Sequence, residues 1–241
     1  MTLLALDIGG MNLAASAGGK PVRALTPDTG EEALATLLGL ADTVVHGPVE
    51  AVGVSFAGPL EDGRIRSLHV PGWDDMPLRD VLQERFGAPT VVENDANAGA
   101  LGEWDAAGRP DEPVAYVTVS TGVGAGIVVR GEILAGAHRL AGEIGHFVVD
   151  PDGDVCACGK RGCVETFASG PAIARHGFAE AARALNVAID ALCAVVDPLF
   201  VAIGGGVANA PALWEALGSR AIHARSTPLR GAEILAERAS R

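Results

Sequence analysis

"LLALDIGGMNLAASAGG", residues 3–19, decides the fold. An apolar run is followed by a Gly-Gly turn, a second apolar run and another Gly-Gly turn, the pattern of a strand–turn–strand unit. The pattern returns at 114–136 as "VAYVTVSTGVGAGIVVRGEILAG", which reads as an internal repeat. Further strand candidates lie at 51–58, 90–95 and 198–206. Helical spacing occupies 31–41, 77–86 (with Gly87 as a stop signal), 96–107, 179–196 and 211–222. Strands alternating with helices, with one unit repeated, predict an α/β protein of two halves built on related sheets. No Pro/Ser-rich linker separates them. The turn-rich "AAGRPDEP" at 106–113 is the natural break, giving an N-terminal α/β domain over 1–110 and a C-terminal one over 111–241.

Composition narrows the function. In 241 residues, 49% are hydrophobic and only 4% aromatic, a balance that suits a globular core of Ala, Val and Leu. The formal charge of −12 supplies no cationic face for a phosphate backbone, so nucleic acid is not an expected partner. No apolar run reaches membrane-spanning length, and Asp7 interrupts "LLAL" before a signal-peptide core could form. The expectation is a cytoplasmic protein, where clustered cysteines point to metal more than to disulfides.

That expectation meets "DVCACGKRGCVE" at 154–165, which packs three of the four cysteines into eight positions. C-x-C-x4-C can wrap three thiolates around one ion, with Gly159 and Gly162 allowing the sharp turns. A structural zinc site takes a fourth ligand, and the nearest upstream candidate is His146 in "AGEIGHFVVDPDG". The predicted set is therefore His146, Cys156, Cys158 and Cys163 around Zn2+. Cys193, in "VAIDALCAVVD", reads as a buried small hydrophobe.

The glycine-rich turns have two readings. "DIGGMN" presents Asp7 at a strand end and then unshielded amides, and "STGVGAG" (120–126) repeats this with Thr121, Gly122, Gly124 and Gly126. Each is either a plain hairpin or an anion-binding concavity for polyphosphate, with the acidic residue holding Mg2+ directly or through water. The second turn leads into a strand, so it is not a dinucleotide fingerprint. A third turn, "AIGGGVA" (202–208), follows a strand and precedes a helix, where nucleotide contacts would fit. In "VVENDANAGALGEW" (91–104), Asp95 is either the cap of a helix or a general base aimed from a strand end.

Taken together, C-x-C-G-x-x-G-C-x-E, the upstream E-x-G-H (Glu143 to His146), "ENDANAGALGE" and "DIGG" resemble the ROK sugar kinases, a family that also contains sugar-responsive repressors. The resemblance implies the actin/hexokinase/ribonuclease H-like duplicated fold, two domains around a cleft. It also implies ATP-dependent phosphorylation of a hexose or hexosamine hydroxyl by a homodimer or higher homo-oligomer. Asp95 would be the catalytic base. Gly58, Asn94, Glu143, His146 and Glu165 would bind the sugar along with it, and "HVPGW" (69–73) matches the sugar-side loop. Asp7, Gly9, Gly10 and Asn12, then Thr121, Gly122 and Gly124, then Gly205 and Gly206, would meet MgATP.

Departures from the family bear on activity. Met11 stands where the first phosphate turn carries Thr, and Ser120 where the second begins with Gly. A helical segment expected between "SGPAIARH" and "FAEAARALNVAIDAL" is missing, and a Gly-rich stretch with a closing helix is expected after "LAERASR". The nucleotide side is thus weaker than the sugar side. A sugar-binding protein with little phosphotransfer is the alternative reading. A repressor would need an N-terminal helix-turn-helix, whereas this chain enters its first strand at Leu3.

Overall fold

Alternation along the first apolar run sends its side chains into two different cores. Leu4, Leu6 and Ile8 pack on one side of the strand and Ala5 on the other. The computed structural model describes residues 2–66, 73, 75–218 and 221–241.

The first half of the chain contains β1 (Thr2–Ile8), β2 (Asn12–Ser16), β3 (Val22–Leu25), α1 (Gly30–Val44) and β4 (Val49–Phe56). A short hairpin, β5 (Leu60–Glu61) and β6 (Arg64–Ile65), precedes α2 (Leu78–Phe86), β7 (Thr90–Asn94) and α3 (Asp95–Ala106). The sheet runs β3-β2-β1-β4-β7. β2 is antiparallel to both β1 and β3, while β4 and β7 continue parallel to β1. Helices α1 and α2 bury Ala33, Leu37, Ala41, Leu78 and Leu82 against the Leu4 face. Thr29 Oγ1 caps α1 by accepting the Glu32 N–H at 3.3 Å, and Gly87, at φ 63°, ends α2 where the sequence places its stop.

The second half contains β8 (Val114–Val119), β9 (Val123–Val129), β10 (Glu132–Ile133), a 3-10 turn at Ile144–His146, α4 (Glu165–Ala168) and α5 (Gly170–Val196). After these come β11 (Val201–Gly204), a 3-10 turn at Gly206–Asn209, α6 (Pro211–Leu217) and β12 (Ile222–His223). This sheet runs β10-β9-β8-β11-β12, antiparallel across β10, β9 and β8 and parallel across β8, β11 and β12. Strand order and sense repeat those of the first sheet, so the internal repeat is a true duplication. Its core joins Val117, Val119, Ile127 and Ile203 to Leu185, Ile189 and Leu192 of α5 and Leu213 of α6.

Three expectations change. The expected helix over 211–222 ends at Leu217, because Gly218 turns at φ 73°, and Ile222–His223 becomes an edge strand on β11. A helix that the spacing did not mark, α7 (Pro228–Ala239), follows. It packs Leu229 and Ala232 on Ala5 and Ala14 of the first sheet. Helix α7 approaches so closely that a Cβ on Gly53 would overlap the Ala232 carbonyl. The two compact units are therefore Met1–Gly102 with Thr227–Arg241, and Glu103–Ser226, rather than 1–110 and 111–241. At the junction where the sequence reading expects a further helical segment, two helical stretches of α5 meet at Gly177, whose φ of 82° and ψ of 170° only glycine adopts readily.

Candidate functional site

In the first unit the carboxyl ends of the parallel strands converge. Cross-strand register pairs Ile8 with Phe56 and Phe56 with Asn94, so "DIGG", "FAGP" and "END" end at one edge of the sheet. That edge is where open parallel sheets bind ligands. Asp7 pairs with Ser55 in the same ladder. Burial pushes the Asp7 carboxyl up to about 6, against the opposing pull of the Ser55 hydroxyl and the Arg23 guanidinium. Ser55 Oγ is itself buried and has no partner in hydrogen-bonding geometry. A desolvated carboxylate at this strand end fits a cation, and Asp7 is the residue that would hold Mg2+, directly or through water.

The turn after Asp7 is tighter than its sequence suggests. The Gly9 N–H donates to the Asn12 carbonyl at 2.9 Å, and Thr26 closes the other side through Gly9 O and Met11 O. The Gly9 amide is thus spent inside the hairpin rather than offered to a phosphate. Met11 is 60% exposed at the tip, a large apolar side chain with no core to enter.

At the end of β7 the structure separates two roles that the sequence leaves together. Asn94 Oδ1 accepts the N–H groups of Ala96 at 2.9 Å and Asn97 at 3.4 Å, so Asn94 caps α3 and Asp95 stands in its first turn. Glu93 supports the cap from behind. Its Oε1 accepts the Asn94 N–H at 2.9 Å and Asn97 Nδ2 at 3.1 Å. Gly58 follows β4 closely, and a Cβ there would lie 2.6 Å from the Phe56 ring. His69 to Gly72 of the sugar-side loop fall outside the described residues.

In the second unit the metal-ligand set assembles as expected. The ligand atoms of His146, Cys156, Cys158 and Cys163 all lie within 4.8 Å of one another. Two short backbone pairings bring them together, Val164 N–H to Phe147 O at 2.9 Å and Val149 N–H to Gly162 O at 2.8 Å. Gly162 is required there, since at φ 64° a Cβ would overlap the Asp150 carbonyl. A tetrahedral zinc, with Zn–S about 2.3 Å and Zn–N about 2.0–2.1 Å, spaces two sulfurs about 3.7 Å apart and a sulfur and a nitrogen about 3.6 Å apart. Cys158 Sγ and Cys163 Sγ are 3.6 Å apart, as are Cys156 Sγ and His146 Nδ1. The donor set fits the ion in chemistry and in spacing. Burial pushes the Cys163 thiol up to about 12 and raises Cys156 as well, while the Lys160 backbone N–H lowers Cys158; holding the two buried sulfurs as thiolates calls for a cation.

The imidazole of His146 has two working edges. Nδ1 faces the cysteines, and Nε2 lies 3.8 Å from Glu143 Oε2. Gly145 lets this segment lie flat on β9, because a Cβ would overlap the Val123 carbonyl.

The second glycine turn is only Ser120–Gly122. Gly124 and Gly126 sit in β9 opposite Thr118 and Tyr116, so they belong to the ladder and not to the turn. Thr121 and Gly122 are in the turn itself. Gly205, at φ 88°, packs against the end of β8, where a Cβ would overlap the Val119 carbonyl. That brings the third turn, with Gly206 opening its 3-10 turn, beside the second.

Sequence reasoning missed two anchors. Glu165 Oε2 accepts the Val123 N–H at 3.0 Å, tying a residue assigned to sugar onto the turn assigned to phosphate. Glu103, fully buried, accepts the N–H groups of Arg225 at 2.7 Å and Ser226 at 2.6 Å. In the sequence it is one of three acids in a helix otherwise rich in small residues, and periodicity alone does not distinguish it from a surface position.

The model of the ROK family matches residues 4–180. An N-acetylmannosamine kinase from Citrobacter koseri is 37% identical over 188 residues, which cover 72% of this chain and 63% of the relative. The chain thus spans less than two-thirds of that relative's length. Among solved structures, a ROK hexokinase from Thermus thermophilus has a TM-score of 0.80 at 32% identity, with 97% of each chain covered. A ROK glucokinase from Streptomyces griseus, solved with glucose and AMPPNP, has a TM-score of 0.79 at 28% identity, covering 99% of this chain and 100% of its own.

Proposed function

The chain belongs to the ROK family, and on that premise we propose that it transfers the γ-phosphoryl group of MgATP to a hydroxyl of a hexose or hexosamine. The observation that carries this is the division of labour between Asn94 and Asp95. Asn94 takes the capping bonds of α3, so Asp95 at the sheet edge is not the cap. In the proposed reaction Asp95 accepts the proton as the sugar oxygen attacks phosphorus, a contribution of roughly 10²–10⁴-fold. Asn94 retains its amide N–H groups for the sugar, and Gly58, Glu143, His146 and Glu165 supply further polyol contacts. A site built this way rejects analogues lacking those hydroxyls.

The protein's remaining work is positioning and charge stabilisation. The amides of Gly10 and Met11, and those of Thr121 and Gly122, lie in the turns assigned to phosphate, with Gly205 and Gly206 on the nucleoside side and Asn12 at the start of β2. Mg2+ held at Asp7 would offset the phosphate charge. Zinc at His146, Cys156, Cys158 and Cys163 is structural and orients Glu143 and Glu165. The relatives named N-acetylmannosamine kinase and glucokinase support this reaction class.

A coupled assay with glucose, mannose, fructose and N-acetylmannosamine, each with ATP and with polyphosphate, tests the proposal. Turnover with at least one sugar, abolished in Asp95→Asn, is expected. A second reading, sugar binding with weak phosphotransfer, is favoured by Met11 at the turn tip and by the Gly9 amide spent on Asn12. Sugar binding without turnover for any pair would select it. Chromatography with light scattering tests the expected homo-oligomer.

A further inference from the structure

Val123, which closes the Ser120–Gly122 turn, is held from two sides by the segments that carry the proposed sugar contacts. Its N–H donates to Glu165 Oε2 at 3.0 Å, and its carbonyl lies against Gly145, where no side chain would fit. The other end of the turn is held by the start of the next helix, α5, since the Gly170 N–H donates to Ser120 O at 2.7 Å. Gly122 leaves room for this arrangement. A Cβ there would stand 2.8 Å from Glu165 Oε2. Val123 is 5% exposed, so its amide has no water to replace the carboxylate.

We infer that Glu165 is a positioning residue for the nucleotide: its Oε2 fixes the phosphate turn through Val123, while its other oxygen remains for the sugar. The inference rests on the kinase reading and deepens it, because one carboxylate then couples sugar occupancy to the geometry of the phosphate site. The coupling is reciprocal, so each ligand strengthens the other by the same factor.

Sign distinguishes this from simple proximity. Removing a negative charge beside a polyphosphate site strengthens nucleotide binding if the charge acts through space alone. If the carboxylate shapes the turn, removal weakens it. The experiment is calorimetric titration of AMPPNP with Mg2+ into the zinc-loaded full chain, without sugar and then with the sugar that the assay selects. Glu165→Ala is expected to weaken sugar-free nucleotide binding about tenfold and to abolish the increase caused by sugar. Glu165→Gln keeps an acceptor for the Val123 N–H, so its sugar-free nucleotide affinity stays within about threefold while sugar binding falls. Gly122→Ala, which crowds Oε2 while leaving the carboxylate in place, is expected to weaken sugar-free nucleotide binding as Glu165→Ala does and serves if that variant does not fold. Wild-type binding of both ligands, with nucleotide bound equally well or more tightly by the first and third variants, overturns the coupling and leaves the kinase reading intact. A wild-type chain that binds no nucleotide overturns both.

Discussion

The side-chain oxygen of Asn94 accepts the main-chain N–H of Ala96 at 2.9 Å, which makes Asn94 the cap of α3 and leaves Asp95 in the helix's first turn. Two adjacent polar residues thereby acquire different mutational signatures. Asn94→Ala is expected to lose about 0.5–2 kcal/mol of stability, the usual cost of an N-cap. Asp95→Asn is expected to melt like the wild type. Its sugar affinity stays within several-fold while kcat falls by at least ~10². Thermal melts and steady-state kinetics on the two variants check this. Near-normal turnover in Asp95→Asn removes Asp95 from the role of base.

The metal prediction follows from the 3.6 Å spacings around His146 and the three cysteines. Elemental analysis is expected to find one zinc per chain, and Cys158→Ser to lose both zinc and sugar affinity. Structural zinc commonly contributes on the order of 10 kcal/mol to the segment that binds it, so a chelator should release the 146–163 loop to proteolysis. Metal-free protein with intact thiols and normal turnover refutes the zinc assignment.

Much of this was legible in the sequence because it is local. The duplicated strand–turn–strand units, the stop at Gly87 and the cysteine set are all encoded within short windows, and each appears where expected. What stayed hidden depends on partners distant in sequence. Helix α7 belongs to the first sheet through Ala5 and Ala14, more than two hundred residues away, so no window could assign it. The reach of Glu165 to Val123 crosses 42 positions. The length of the second turn was misjudged for a different reason. Glycine marks freedom of the backbone, not whether a strand has already begun, and Gly124 is in the ladder.

Met11 invites a gain-of-function experiment. A Thr hydroxyl at this exposed tip can donate to a phosphate oxygen, and a thioether cannot. A hydrogen bond to a charged group is worth ~1.5–3 kcal/mol, and the Gly9 amide is already bound to Asn12, so few donors remain to compensate. Met11→Thr is expected to raise kcat/KM for the nucleotide about tenfold and to leave sugar affinity unchanged. Equal or lower activity would mean that the turn binds phosphate through its backbone alone.

Asp7 sets function against stability. Burial raises its carboxyl from 3.8 to about 6, so the folded chain binds the proton more tightly than the unfolded chain does. The sign follows from linkage. Stability is greatest when Asp7 is protonated, declines as pH rises from 3.8 through 6, and is level above that, with a total cost of up to about 3 kcal/mol. Asn cannot ionise and does not incur this cost. Without Mg2+ or nucleotide, Asp7→Asn is therefore expected to melt several degrees above the wild type at pH 7.5, and the gap should narrow toward pH 5. With Mg2+ and ATP present, the order reverses for activity, since the variant has lost the carboxylate proposed to hold the cation. Calorimetry of both proteins across that pH range, with and without Mg2+ and ATP, measures each half. A variant no more stable than the wild type at pH 7.5 would show that Asp7 is not desolvated in solution, and its claim to the cation would weaken with it.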